Sequence, residues 1–326
     1  GEVSGNTHLG GLTGFNSGTI SNGFWNTTTS GQGSGIGFDQ NSQSTTGLSS
    51  INMYDTSNFN GWDFNDNWEI LQEISFPYLK ENVPFIVPGL KIFGNGNGSA
   101  ESPLQISTLE QLDEIRNFSG IHFELTSNID ASDTQTMNSG QGWEPIGSEN
   151  NGFEATLNGN NYSINDLYIN RPDSSYLGLF GVIASVGSVK NLTLTNVEIT
   201  GNDYIGGLAG KSESQSIDSV GVISGEVSGV DFIGGLFGEN YYGDVSNSFS
   251  KVDVIGSGDH VGGLVGILNA TYTGDASIEH SYSTGDVSGA TYVGGLVGLS
   301  HARVEESFSA GNVTGFGNNI GGLVGN

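Results

Sequence analysis

Three aspartates recur at one interval in the second half of this 326-residue chain: Asp203, Asp231 and Asp259 lie 28 residues apart. If one structural coil filled each interval, their carboxylates would stand in a column about 4.8 Å apart. Carboxylates at that spacing repel one another unless water or a cation lies between them. Because calcium takes several oxygen ligands in a flexible geometry, the column is a candidate calcium site. The column ends at Thr291 and Asn318, which favours the alternative of exposed turn aspartates that bond backbone amides.

The remaining titratable residues do not form a pattern typical of an active site. No His-Glu-x-x-His occurs, so the zinc ligands of that class of metallopeptidase are missing. Of the five histidines, His8 and His260 occupy a repeat position that is otherwise mostly aromatic, which predicts a stack of rings. Enzymes that cleave polysaccharides bring a basic residue or facing carboxylates to the substrate, whereas the 8 Lys and Arg residues here do not cluster. We therefore expect that the chain is not an enzyme.

The charge balance narrows the classes of partner. The chain carries 35 Asp and Glu against 8 Lys and Arg, a formal net charge of −27. Phosphate backbones and anionic membrane surfaces would be repelled, so nucleic acid and direct membrane insertion are not expected. The same charge favours hard cations such as calcium. With no cysteine, a disulfide framework and a thiolate metal site are excluded.

The pentapeptide Gly-Gly-Leu-x-Gly returns along the chain at a nearly constant interval. Five copies begin at Gly206, Gly234, Gly262, Gly294 and Gly321, and a further copy and a variant begin at Gly10 and Leu177. The closing glycines from Gly181 to Gly325 are 29, 28, 28, 32 and 27 residues apart. A period in this range is typical of a stack of like units, each of which buries its apolar face against its neighbours.

Each repeat contains three short apolar segments: the motif with the aliphatic residue before it, a segment such as 245–249, and a shorter one around Val254. Three short strands joined by turns predict one coil of a parallel β-helix, an all-β solenoid built from repeats of about 28 residues. Glycine suits the tight corners of such a coil. Two inward columns are predicted, the motif leucines (Leu208, Leu236, Leu264, Leu296, Leu323) and the aliphatic residues (Ile205, Ile233, Val261, Val293, Ile320).

The regular repeats cover only part of the chain. Residues 107–117 are predicted to form a short capping helix, with Ser107 as N-cap and Glu110 as the third helical residue. The predicted organisation is the end of a preceding β-helical array (1–48), a closing cap (49–80), a linker (81–100), an opening segment with the helix and the first irregular coils (101–175), and regular repeats (176–326). Gly1 to Gly5 repeat residues 225–229, and Asn326 directly follows a motif, so both termini are expected to fall within repeats.

The recurring Gly-Leu-x-Gly unit, followed by Ser-aromatic-Ser-x-Gly, resembles the GLUG repeat. That repeat occurs in large bacterial surface and secreted proteins, including adhesins and the non-catalytic parts of some IgA-cleaving metallopeptidases. The resemblance covers residues 176–326 well and residues 1–30 in part. Residues 61–79 and 103–112 look like the segments that close and open such arrays. The resemblance implies surface exposure and adhesion, and it brings no catalytic residue.

The predicted function is a structural or adhesive section of a long bacterial cell-surface protein, such as a stalk, fibre or adhesin, located outside the cell. Its expected partners are flanking repeats of the same parent chain or neighbouring copies, with surface glycans or other cell-surface proteins as further candidates. A carbohydrate-binding or carbohydrate-cleaving β-helix is one alternative, which a groove lined with exposed aromatic rings would favour. A self-assembling extracellular filament subunit is the other.

Overall fold

The computed structural model describes residues 3–41, 45–49, 51–69, 77–79, 93–270 and 276–326. The chain forms two compact units, Gly1–Ile92 and Phe93–Asn326. The boundary between them lies within the predicted linker 81–100, of which residues 81–92 are outside the described residues. Residues 50, 70–76 and 80 of the predicted cap are outside them as well.

The first unit begins with strands that pair in parallel and continues with an aromatic cluster. The parallel pairs are Thr13–Asn16 with Ile36–Asp39, and Phe24–Asn26 with Thr46–Leu48. The remaining elements are the α-helix Thr27–Ser30, the 3-10 turns Ile51–Tyr54 and Thr56–Asn58, and the antiparallel pair Trp68–Glu69 with Tyr78–Leu79. Leu48 and Phe59 are buried, and Phe24, Trp62 and Phe64 pack against them. Aromatic packing therefore covers the strands that precede it.

The second unit is a parallel β-solenoid, which confirms the predicted fold class. Its strands lie in four sheets. Sheet A contains Leu104–Ile106, His122–Leu125, Ile129–Asp130, Thr156–Asn158, Ser163–Asn165, Ser188–Thr195, Ser216–Val222, Asp244–Ser246, Phe249–Ser250, Ser277–Glu279, Tyr282–Ser283, Arg303–Glu305 and Phe308–Ser309. Sheet B contains Tyr168–Asn170, Val197–Thr200, Gly225–Gly229, Asp253–Gly256, Val287–Gly289 and Val313–Gly315. Sheet C contains Ile205–Gly206, Ile233–Gly234, Val261–Gly262, Val293–Gly294 and Ile320–Gly321. Sheet D contains Phe180–Ile183, Ala209–Ser212, Phe237–Asn240, Val265–Leu268 and Val297–Ser300.

A short helix covers the start of the solenoid, but its cap lies one residue later than predicted. The α-helix is Leu109–Glu114, and 3-10 turns follow at Ile115–Asn117 and Ser132–Gly140. Thr108, not Ser107, is the N-cap, and Gln111, not Glu110, is the third helical residue. The Gln111 Oε1 atom accepts from the amides of both Ser107 (2.6 Å) and Thr108 (3.2 Å). This register therefore satisfies two backbone donors with one side chain, which explains the shift.

The two predicted inward columns are present. Ile205, Ile233, Val261, Val293 and Ile320 are direct partners in sheet C. The first four motif leucines, Leu208, Leu236, Leu264 and Leu296, are each 0 % exposed, whereas Leu323 in the last coil is 37 % exposed. The backbone amide of each leucine donates a hydrogen bond to the carbonyl of the leucine in the next coil, beginning with Leu208 to Leu236 and ending with Leu296 to Leu323. The leucines form the core because every coil presents the same apolar position to the same place.

The segment 245–249 is two strands, not one. Asn247 lies between them with a φ of 51°, and Ser219, His280 and Glu306 turn the same corner in other coils with φ values of 57°, 50° and 44°. A serine follows the corner residues Asn247, His280 and Glu306. The Oγ atoms of Ser248, Ser281 and Ser307 accept from backbone amides of the preceding coil at 3.2, 3.1 and 3.1 Å. The first serine of the recurring Ser-aromatic-Ser pattern therefore has a structural role.

Candidate functional site

The structure places the three predicted aspartates in one column between sheets B and C. Asp203, Asp231 and Asp259 are half-buried. The Oδ1 atom of each accepts a hydrogen bond from a backbone amide of the next coil: Asp231 N to Asp203 (3.2 Å), Asp259 N to Asp231 (2.5 Å) and Thr291 N to Asp259 (3.2 Å). One oxygen of each carboxylate thus satisfies a backbone amide donor of the next coil, as turn aspartates do.

That the column of Asp203, Asp231 and Asp259 binds calcium stays a prediction. The second oxygen of Asp203 accepts from Asn202 Nδ2 at 3.2 Å. Within the described ranges, no group of three or more His, Cys, Asp or Glu side chains is arranged to hold a metal ion. Calcium usually takes six to eight oxygens. Calcium bound at this column would therefore need carbonyl and water oxygens beside the free carboxylate oxygens.

An aromatic ladder lies next to the aspartate column. Its rings are nearly parallel, with interplanar angles of 4–8° and centroids 4.5–4.9 Å apart: Tyr176, Tyr204, Phe232, His260 and Tyr292. All five have left-handed backbone conformations, with φ between 56° and 65°. A bulky residue in this conformation costs about 1–3 kcal/mol. Each stacked pair of rings contributes about 0.5–1.5 kcal/mol of stability. The stacking therefore offsets a conformational cost of similar size.

The ladder is not an open platform for a sugar ring. Each of Tyr204, Phe232 and His260 has neighbouring rings on both faces, so only the ring edges reach solvent. A sugar can stack only on an aromatic face that is exposed. The ladder therefore does not provide the exposed aromatic groove that a carbohydrate-binding β-helix was expected to show.

The His260 imidazole is the unusual member of the ladder. Its Nδ1 atom is buried and has no hydrogen-bond partner in the structure. Burial lowers the pKa of His260 below its ordinary value, although the carboxylates of Asp259 and Asp231 oppose this effect. The nearby His301 acts in the same direction as burial. The fold thus favours the neutral imidazole, which packs like the phenyl and phenol rings around it.

A polar network that the sequence did not predict lies on sheet D. Lys211 Nζ is 2.8 Å from Glu213 Oε1 and 4.0 Å from Glu239 Oε2. Asn269 Nδ2 donates to the other oxygen of Glu239 at 2.5 Å, and His301 Nδ1 lies 2.9 Å from Asn269 Oδ1. Burial raises the pKa of Glu239, which is 9 % exposed, whereas Asn269 and Lys211 act to lower it. These residues have partners within the chain, so the network braces neighbouring coils.

A second row of carboxylates lies along the outward face of sheet B. Glu198, Glu226, Asp253 and Asp286 are exposed and follow one another from coil to coil. Asp286 has a lowered pKa because the Asn312 backbone amide and side chain donate to it. The intervals of 28, 27 and 33 residues are unequal, so a search for one fixed spacing could not find this row. Aligned on the motif, Glu198, Glu226 and Asp286 each lie eight residues before its first glycine and Asp253 lies nine before it, so an alignment that allows one gap would have found the row.

Comparison with known proteins agrees with the solenoid. Residues 257–288 match the family model described as the GLUG motif. A protein of Evansella cellulosilytica named as a Gly-rich membrane protein is 46 % identical over 111 residues, which are 33 % of this chain and 13 % of that protein. Halomucin of Haloquadratum walsbyi is 40 % identical over 123 residues, which are 36 % of this chain and 1 % of halomucin. The chain thus matches only a small part of these relatives.

A solved structure has the same kind of fold. It is that of a Bacteroides ovatus protein named as an immunoglobulin A1 protease, with a TM-score of 0.57 and 21 % sequence identity. The similarity covers 69 % of this chain and 70 % of that one. At this identity the likeness concerns the fold alone. Together with the motif match, these findings confirm the resemblance to GLUG-repeat proteins.

Proposed function

We propose that this chain is a structural section of a long bacterial cell-surface protein, where it serves as a stalk or fibre or presents a side for adhesion. The observation that carries the proposal is the in-register stack of coils, in which sheet B alone joins six successive strands. Such a stack buries one continuous core and spaces its two ends apart at about 4.8 Å for each coil. This geometry suits a spacer better than a receptor for one small ligand.

The names of the relatives support a place at the cell surface. One is named as a membrane protein and the other as halomucin, and both are matched in part by this chain. Among the described residues, no helix has the length and apolar character needed to cross a bilayer. We infer an extracellular position for the chain, with flanking repeats, neighbouring copies or surface glycans as its partners.

We also propose that the chain has no enzymatic activity of its own. The aspartate column contributes hydrogen bonds to backbone amides, and the Lys211–Glu239–Asn269 network joins neighbouring coils. Both arrangements hold titratable groups in structural contacts. A general acid or base needs instead to reach the proton of a substrate.

Localisation tests the proposal directly. Antibodies raised against the chain should label intact cells of the source organism, and mild protease treatment of those cells should remove the label. Deleting residues 176–326 from the parent gene should shorten the surface structure or weaken attachment to surfaces. Labelling that requires permeabilised cells would contradict a surface role.

A further inference from the structure

A cleft lies at the start of the solenoid, where the chain departs from the repeat. It has two adjoining parts of about 430 and 420 Å³, which share Ser119 and Glu154. One wall is the turn that follows the short helix, and the other is the loop from Glu144 to Glu154. Each part falls within the size range of small-ligand sites.

Arg116 fixes the two walls of the cleft to each other. Its Nη2 atom donates to the Glu144 carbonyl at 2.8 Å and to Asp113 Oδ1 at 2.5 Å, and its Nη1 atom donates to the Pro145 carbonyl at 3.4 Å. The guanidinium also lies 5.5 Å from the centre of the Trp143 ring. The cleft is therefore preorganised, and the charge of its arginine is already balanced by Asp113.

The walls present hydrogen-bonding groups rather than apolar surface. Glu144 and Glu154 are exposed, and within the described part of the chain neither carboxylate has a hydrogen-bond or ion-pair partner. Ser119 lines both parts of the cleft, and His122 lines the second part. Phe118 and Phe153 also border the cleft, but they are only 5 % and 3 % exposed.

We propose that this cleft binds a neutral saccharide. A carboxylate accepts up to two hydroxyl donors on each oxygen, and a sugar supplies several hydroxyls at close spacing. Two unpaired carboxylates and a chain charge of −27 disfavour phosphorylated, sulfated or uronic-acid ligands. The buried phenylalanines offer little to an apolar ligand.

A divalent cation is the other class of ligand that carboxylates suit. A metal site needs more ligands than Glu144 and Glu154 supply, and no group of three such side chains occurs among the described residues. The saccharide assignment goes beyond the structural role proposed for the repeats, because every residue that lines the cleft except Val186 belongs to the opening segment 101–175.

Calorimetric titration of the full chain tests the proposal. The probes are neutral oligosaccharides of glucose, galactose, mannose and N-acetylglucosamine. We expect saturable binding of at least one of them. Glu154→Gln should weaken that binding about tenfold or more, since a hydrogen bond to a charged group is lost. Glu226→Gln, an exposed change on sheet B, should leave affinity unchanged, and both variants should keep the wild-type melting temperature.

Three results would overturn the assignment. One is that none of the oligosaccharides binds to the wild-type chain. Another is that Glu154→Gln binds as tightly as the wild type. The third is that calcium chloride alone gives saturable binding that Glu154→Gln abolishes, which would make the cleft a cation site. None of these results would bear on whether intact cells carry the chain at their surface.

Discussion

At the residue scale, polar side chains in this solenoid complete the hydrogen bonding of neighbouring coils. Asp231 accepts the Asp259 amide, and Ser281 accepts the Ser248 amide. A backbone amide at a corner cannot join a sheet, so a buried or half-buried corner needs such a partner. The repeated aspartates and serines therefore accept hydrogen bonds from backbone amides, and any ligand that they bind would be additional to this structural role.

Calcium should raise the melting temperature if the aspartate column binds it, because a ligand of the folded state alone stabilises that state. Asp231→Asn keeps an acceptor for the Asp259 amide but removes the middle charge, so it should abolish most of the rise. Scanning calorimetry with calcium, and with magnesium at equal concentration as the control, measures the effect. An equal calcium shift in the variant, or an equal response to magnesium, would leave amide capping as the role of the column.

His260→Tyr should make the chain less sensitive to acid. Because burial places the pKa of His260 below its unfolded value of about 6.5, this group stabilises the fold fully above that pH and less as pH falls through the folded pKa. Tyrosine occupies the same ladder position at Tyr204 and Tyr292, so the ring stack is kept. The loss of melting temperature between about pH 7.5 and 5 should therefore be smaller in the variant. The charged groups that face His260, Asp231, Asp259 and His301, are the same in both proteins, and equal losses would refute the prediction.

At the element scale, one coil is the structural unit, and its position in the stack sets how much each residue contributes. Leu264 has coils on both sides and is 0 % exposed, whereas Leu323 occupies the same motif position in the last coil and is 37 % exposed. The same amino acid therefore contributes a different amount of buried area at the two places. Motif copies provide matched controls for one another.

Leu264→Ala should lower the free energy of unfolding by about 2–5 kcal/mol, since it leaves a cavity between two packed coils. Leu323→Ala should cost about half as much or less, because part of that side chain is already in contact with water. Chemical denaturation of both variants gives the comparison. Equal losses would show that the leucine column does not carry the core in the way described.

Gly235→Ala should be strongly destabilising because the new Cβ atom would collide with Ser250 Oγ and the Gly263 carbonyl. Gly322 occupies the same motif position, and a Cβ atom there would meet nothing within 4 Å. We expect a loss of about 1–3 kcal/mol or more for Gly235→Ala and a change near zero for Gly322→Ala. Denaturant midpoints measure both, and similar values for the two would contradict the close approach of coils at Gly235.

At the scale of the whole molecule, charge and exposed apolar residues act in opposite directions. The net charge of −27 keeps copies apart in dilute buffer, and salt weakens that repulsion. In the 326-residue chain taken by itself, the coil that contains Ile320 and Leu323 exposes apolar side chains and strand edges, which a following coil or a second copy can cover. The balance between the two decides whether copies associate.

As an isolated 326-residue polypeptide, the chain should associate at high protein concentration and more strongly as salt increases, because a second copy can bury the Ile320 and Leu323 side chains that this polypeptide leaves exposed. The double variant Ile320→Asp and Leu323→Asp should remain monomeric. Ile255→Asp changes a residue of similar exposure (43 %) within sheet B and should associate like the wild type. Analytical ultracentrifugation provides the measurement, and association that the double variant does not reduce would place the contact elsewhere.

The sequence by itself determined the architecture of the repeats. A motif that returns every 27 to 32 residues cannot bury Leu208, Leu236, Leu264 and Leu296 together unless the repeats stack, so the leucine column followed from the spacing. The three short apolar segments of each repeat then indicated that the stacked units are β-coils. The aromatic ladder was foreseeable for the same reason. The helix at the start was also predicted, although two overlapping capping patterns left its register one residue in error.

Only the tertiary structure decided which side chains meet outside that spacing. Lys211 and Glu239 are strand partners at equivalent positions, one residue after the closing glycine of each motif, but Asn269, which donates to Glu239, lies three residues after its own closing glycine. The cleft around Glu154 depends on loops that carry no repeat. Periodicity specifies contacts between equivalent positions, whereas contacts between non-equivalent positions depend on how the chain turns in three dimensions.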